Sequence, residues 1–390
     1  MAKYNPDLHQ QFLLNPEIIF LNHGSFGATP RPVFDAYQSW QRELEAQPVE
    51  FLGRRAPDLL QNSRAILAKY LQAECNDLAY IPNATTGINI VARSLHLQEG
   101  DEVLATNHEY GAIDRTWTFL SEKNGFKYIN QPVHTPVSSP ETLVEDFWKG
   151  VTQKTRVICI SHITSPTALI FPVSEICHRA RQAGILTVID GAHAPGQIAL
   201  SLVNSGADFY TGNLHKWLCA PKGSAFLYAR PEVQALIEPL TIGWGWKSQN
   251  PGSSPFVDCL EHNGTRDISA YLAVPDAIRF QEQNDWVEVR IRCHILAAEA
   301  SRRIRTLTGL PALSPDTPQW YAQMVSVPLP DHLDARQLQI DLWQKFNIEI
   351  PLINWNGMNL IRISIQGYNS EKDIDALISA LTLCLSKGES

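Results

Sequence analysis

The chain has 390 residues, 44% of them hydrophobic, and a formal net charge of −8 at pH 7. That length exceeds the ~250–300 residues at which a single core stops growing, so a large and a smaller domain packed together are expected. The acidic balance with no basic run argues against nucleic acid as a partner, and no apolar run reaches the ~18–20 residues needed to cross a bilayer.

The start, MAKYNPDLHQQF, lacks the basic and apolar regions of a signal peptide. Seven cysteines are scattered, and none forms C-x-x-C, which speaks against a disulfide framework or a thiolate zinc site and for a cytoplasmic protein with reduced thiols. An anionic small substrate would need locally placed arginines and backbone N–H groups, because the overall field repels it.

Residues 1–20 read as a helical arm and connector. A Gly/Pro/Ser-rich loop, 21–32, leads into a helix starting near Pro32. Residues 58–73 carry helical apolar spacing. An alternation follows: strands at 77–82, 102–106, 126–129, 156–161, 186–189, 209–211 and 225–228, with helices at 85–95, 112–123, 141–150 and 173–183. Strands that are almost wholly apolar and alternate with helices predict a mostly parallel sheet covered on both faces. Such α/β sheets bind ligands outside the carboxyl ends of their strands. Beyond about Tyr271 the pattern predicts one long helix over 270–307. Strands at 324–328, 348–353 and 360–365 and a closing helix at 371–385 then make a smaller α+β domain. The expected division is an arm (1–20), a large domain (21–265) and a small domain (266–390).

Four segments after strands carry chemistry. In DFYTGNLHKWLCAPKG, Lys216 follows His215 in a turn with Leu214, Trp217 and Leu218. Burial there would lower the amine's pKa and free its lone pair, as imine chemistry needs; a structural lysine is the alternative. In TVIDGAHAPG, Asp190 ends an apolar strand. It either caps the turn or pairs with a pyridinium nitrogen and makes that ring an electron sink. His193, three residues on, hydrogen-bonds a ring hydroxyl or serves the turn. In PNATTGIN, Thr85, Thr86 and Gly87 open a helix whose free N–H groups suit a phosphate, although Thr is also a common cap. His108, past the strand VLATN, either stacks on a flat cofactor or is a loop histidine.

Phosphate cradle, stacking group, ring-nitrogen acid and lysine occur here in the chain order of a pyridoxal-phosphate (PLP) enzyme. The motifs ATTGIN (84–89), His108, DGAH (190–193) and His215-Lys216 resemble class V aminotransferase-like enzymes of PLP fold type I, over nearly the whole chain. LNHGSFGATPRPV, SHITSPTALIFP and GNLHKWLCAPKG are similar to the isopenicillin N epimerase-like branch.

The resemblance implies that Lys216 holds PLP as a Schiff base, with Asn213 and His215 joining Thr85 and Thr86 at the phosphate. It implies that Ser165 lies beside the ring and that Arg362 grips the substrate carboxylate, which a planar guanidinium does with both oxygens. Thr265 matches a residue reaching the phosphate of a neighbouring subunit, implying a homodimer with interfacial sites. Asn22, His23 and Gly24 are expected at the substrate entrance, with Arg54, Arg55, Trp244 and Trp246 nearby.

Related cysteine desulfurases carry a mobile-loop cysteine shortly before this arginine, and residues 347–360 contain none. His23–Gly27 is not G-x-S-x-G, and GWGWKS lacks the glycine a P-loop needs before its lysine. The expected enzyme acts at Cα of an amino acid, as an epimerase or alternatively as a C–S lyase. Transamination and a non-catalytic PLP-binding regulatory module stand behind these. Epimerisation needs a proton donor opposite Lys216, and His108 is the residue this reading names for it.

Overall fold

The structure is a computed structural model, and it describes residues 8–385. The part of the arm at 1–7 lies outside the described residues. A short strand, β1 (Ile19–Phe20), precedes the large sheet. The sheet contains β2 (Leu78–Ile81), β3 (Glu102–Thr106), β4 (Lys127–Gln131), β5 (Thr155–Ser161), β6 (Leu186–Asp190), β7 (Phe209–Asn213) and β8 (Ala225–Ala229). Its seven strands run in the order β2-β8-β7-β6-β5-β3-β4. Every neighbouring pair from β7 to β4 is parallel. β8 is antiparallel to both β7 and β2, so β2 points the same way as β7. The fold is therefore α/β with a mostly parallel central sheet. Six of its strands, β2 to β7, deliver their carboxyl ends to one edge.

The sequence explains this layout. VICIS and TVID are buried on both faces because helices cover both sides. Val173–Gln182 is one of the crossover helices between them.

The C-terminal part holds β9 (Met324–Pro328), β10 (Ile348–Glu349), β11 (Leu352–Trp355) and β12 (Met358–Ser364). β11, β12 and β9 form an antiparallel sheet in that order. β10 leaves that sheet and pairs in parallel with β1. Where one strand is expected over 348–353 there are two, because Pro351 has no N–H to donate to a ladder. Asn356 (φ 50°) and Gly357 (φ 81°) close the β11–β12 hairpin as a two-residue turn. Asn-Gly is the pair such a left-handed turn favours.

The single helix expected over 270–307 is three: Ser269–Leu272, Val274–Gln283 and Trp286–Thr308. Pro275 cannot continue the first of these, and Asp285 (φ 47°) breaks the chain direction before the last. A helix at Ala335–Phe346 was not anticipated; its Asp334 cap, accepting from the Gln337 N–H, is the local signal for it. Among the described residues no helix is long and apolar enough to cross a membrane.

Candidate active site

At the carboxyl edge of the large sheet lies a cavity of about 260 Å³, and Lys216 opens into it. Each strand end contributes one part of its wall. Asn83 and Thr85 follow β2, Tyr110 follows β3, and Ser161 ends β5. Asp190 ends β6, Asn213 ends β7, and His215 and Lys216 follow it.

The lysine loop is held from below. The Lys216 carbonyl accepts from His23 Nε2 at 2.9 Å. The Trp217 carbonyl accepts from Gln281 Nε2 at 2.9 Å. Gly27, at φ 70°, passes so close that a Cβ there would lie 2.0 Å from the His215 carbonyl oxygen. The backbone of Lys216 is therefore fixed while its amine faces the cavity.

Lys216 Nζ lies 3.2 Å from His193 Nε2. His193 Nδ1 accepts from the Trp217 indole N–H at 3.1 Å. Indole is a donor only, so Nδ1 is unprotonated and the neutral ring carries its hydrogen on Nε2. That hydrogen points at the lysine and requires a lone pair there. Burial pushes His193 well below the usual histidine range, with the lysine's charge acting in the same sense. Burial also brings the Lys216 amine down to about 7, helped by the Arg362 charge and opposed by Asp190.

Asp190 is buried, and its Oδ1 accepts from the Ala192 N–H at 2.9 Å. Burial raises its carboxyl, against the Ala192 N–H and the nearby lysine. Both readings of Asp190 from sequence are compatible, since one oxygen serves the turn and the residue still lines the cavity. Deeper lies Glu109, whose carboxyl accepts from the Thr106 and Ser161 hydroxyls at 2.6 Å each. Burial pushes it up to about 8.

The Ala84–Ser94 helix points its N-terminus at the same space. The Asn213 side chain takes the Ala84 N–H at 2.8 Å, and Asn83 takes the Thr86 N–H at 2.8 Å. The Thr86 hydroxyl also bonds Asn83. Of the two threonines, only Thr85 lines the cavity. Its N–H and the helix dipole suit an anion.

Arg362, on β12, is buried. It donates to the Ser165 carbonyl at 2.8 Å, the Ser165 hydroxyl at 3.0 Å and the Ser25 hydroxyl at 3.1 Å. None of these partners is charged, and its Nε has no partner among the described residues. Burial lowers it to about 10. A buried cation without a counter-ion is costly unless an anion arrives.

Several sequence expectations move. His108 is fully buried and does not reach the cavity. Its ring is held by the Thr167 hydroxyl at 2.7 Å and the Val133 carbonyl at 2.8 Å, and it packs on Trp355 at 4.4 Å. The loop after β3 instead presents Tyr110, two residues later. His23 and Gly24 lie under the lysine loop and against Met324 and Ser364. Asn22 bonds Glu349. From that loop Ser25 and Phe26 line the cavity. Sequence carried no signal for register within these loops, where neither period applies.

Thr265 is exposed and lines a separate cleft with Trp244. Trp244 is 90% exposed, so it is not core, and Trp246 borders a third cleft. Arg55 pairs with Glu43 at 2.6 Å, and neither Arg54 nor Arg55 lines the lysine cavity.

Residues 19–377 match the family described as aminotransferase class-V. The chain is 36% identical to an isopenicillin N epimerase of Amycolatopsis lactamdurans, over 95% of this chain and 96% of that one. It is 30% identical to a putative L-cysteine desulfhydrase of Oryza sativa subsp. japonica, over 94% of this chain and 83% of that one. An apo cysteine desulfurase from Thermococcus onnurineus NA1 superposes with a TM-score of 0.85 at 21% identity, covering 99% of this chain and 100% of that one. With the fold, the lysine cavity and this match over most of its length, the chain belongs to the aminotransferase class-V family.

Proposed function

We propose that this protein is a PLP-dependent enzyme that breaks the Cα–H bond of an amino acid and acts as an epimerase. The observation that carries this is the Lys216 amine. It is half-buried, lowered to about 7, and hydrogen-bonded to a histidine that favours its neutral form.

The residues present fit the cofactor. Arg362, without a counter-ion, lies behind the cavity wall and is bonded to the lining residues Ser165 and Ser25, a helix N-terminus closes one end, and a buried carboxylate sits beside the lysine. When bound, PLP supplies an electron sink for the pair left by the broken Cα–H bond.

We assign Lys216 as the covalent anchor and the base that takes the α-proton. Asp190 holds a positive charge on the ring nitrogen. Thr85, Asn213 and His215 hold the phosphate; Thr86 supports them through Asn83. His193 and Ser165 border the ring. Arg362 orients the substrate carboxylate. The Ser165 hydroxyl accepts from Arg362 and keeps its O–H for the cavity.

The epimerase relative covers nearly all of both chains and supports this reading over the lyase. C–S elimination is the second reading, favoured by the desulfhydrase relative. Persulfide transfer has less support. Residues 347–360 lack a cysteine and are paired strand and tight turn. A homodimer is part of the proposal, supported by the exposed Trp244, which lines one cleft with Thr265. So is a cytoplasmic setting, supported by seven free thiols. We take 21–265 as the cofactor-binding unit, 266–390 as the small domain and 1–20 as an arm.

The test is incubation of the PLP-loaded enzyme with single enantiomers of amino acids in heavy water. Deuterium at Cα with inversion is the expected result. Pyruvate with released thiol or sulfide would overturn the epimerase reading in favour of the lyase.

A further inference from the structure

Epimerisation needs two groups at Cα, one on each side. Lys216 supplies one. His108 does not supply the other, because both its ring nitrogens are engaged away from the cavity.

The titratable groups that line the cavity are Tyr110, Asp190, His193, His215 and Lys216. Four of them follow or end β6 and β7. His193 is committed to Lys216 and Trp217, and His215 to the Ser224 carbonyl. Tyr110 alone comes from the other side, after β3.

The sheet order sets the separation. β6 and β5 lie between β7 and β3. Neighbouring strands are about 4.8 Å apart, so Lys216 and Tyr110 arise from strand ends roughly 14 Å apart. Asp190 and Ser161 sit between them at the floor. Both side chains reach into one cavity from opposite flanks, and a substrate between them is touched on two sides.

Three more observations support a chemical role for this phenol. The Tyr110 side chain is 49% exposed, and its hydroxyl has no hydrogen bond among the described residues. It interacts electrostatically with Arg362 and favours the arginine's charged form. Its backbone is rigidly placed, since its carbonyl accepts the Ile113 N–H at 2.8 Å and Glu109 beside it is pinned on both carboxyl oxygens.

We propose that Tyr110 is the second acid–base residue of the reaction, delivering a proton to Cα from the side opposite Lys216. This rests on the epimerase reading. In one direction the Cα–H bond breaks and an N–H bond forms on the Lys216 amine. The bond pair stays with the substrate, spread into its electron sink. The Tyr110 O–H bond then breaks, and that proton forms the new Cα–H bond with the returning pair. A lysine ammonium and a phenolate remain. The reverse turnover restores both, as does one proton passed through water.

The test uses Tyr110→Phe in the PLP-loaded full chain, with each enantiomer of an amino acid that the wild type epimerises. Epimerisation is expected to fall about 10²–10⁴-fold, the range for losing one acid–base group. The enantiomer whose Cα–H faces Lys216 should still exchange it for deuterium with retention, within a few-fold of wild type. The other enantiomer should not exchange. Cofactor dissociation constant and visible circular dichroism should match wild type, because the aromatic ring is kept. Wild-type epimerisation by the variant overturns the proposal. So does equal loss of exchange for both enantiomers with an altered dichroic band, which marks Tyr110 as a packing residue only. A wild-type enzyme that epimerises nothing and eliminates thiol overturns the reading beneath it, and is distinguishable because the failure appears before any substitution is made.

Discussion

His193 and Lys216 form a donor–acceptor pair whose direction is set by a third group. The Trp217 indole occupies Nδ1 at 3.1 Å, leaving Nε2–H to face Nζ at 3.2 Å. The pair is stable with a neutral amine and strained by an ammonium. The sign follows directly. A lowered amine pKa means that the nucleophilic form grows as pH rises through about 7, not through 10.5. Covalent uptake of PLP by cofactor-free protein, followed by borohydride trapping at Lys216, is therefore expected to rise with pH and reach half its maximum near pH 7. A midpoint above 9 would refute it.

Gly27 offers a test of the lysine loop that leaves the lysine itself intact. Gly27→Ala places a Cβ 2.0 Å from the His215 carbonyl, at a φ of 70° that alanine resists. We expect a destabilisation of about 2–4 kcal/mol, together with weakened PLP binding. Urea unfolding and cofactor titration measure the two effects. Normal PLP affinity would show that the loop yields without moving Lys216.

Arg362 is expected to separate function from stability. Arg362→Leu removes a buried cation whose partners are neutral. Removing a buried cation that lacks a counter-ion relieves its desolvation cost, whereas on the proposed assignment the substrate carboxylate loses its bidentate partner. The expected outcome is a loss in kcat/KM of about 10²-fold or more, equivalent to roughly 3 kcal/mol. The melting temperature should be unchanged or higher. A strongly lowered melting temperature would mark the arginine as structural.

His108 is expected to behave in the opposite way. His108→Ala leaves the Thr167 hydroxyl and Val133 carbonyl without their partner and opens space beneath Trp355. A loss of about 2–3 kcal/mol in unfolding free energy is expected. Enantiomer-specific deuterium exchange should persist in the folded fraction. Loss of exchange at one face only would reinstate His108 as the acid.

The contrast between these residues shows how far the primary structure could be read. Strands such as RVICIS and LTVID declare themselves, because an apolar run between helices has one good burial. Lys216, Asp190 and Thr85 are readable as candidates for the same reason: each lies at or a few residues past the end of such a strand, where the backbone direction is already known, and all three line the cavity. His108 and Tyr110 sit two residues apart in one loop, and which of them enters a cavity depends on Trp355 and Thr167, both remote in sequence. Spacing carries no information on that choice. The same holds for Asn22, His23 and Gly24, displaced from the cavity by Ser25 and Phe26. The breaks at Pro275 and Pro351 have a local cause in each proline, but the apolar pattern around them masks it.

The parallel pairing of β1 with β10, and the bridge from Asn22 to Ser364, have a practical consequence. The stretch that hands Ser25 to Arg362 is stitched to the far end of the polypeptide. A chain shortened to near residue 19 is therefore expected to disturb the Ser25–Arg362 contact from a distance. Catalytic differences between preparations of this protein should be traced to their first twenty residues before they are attributed to the substrate.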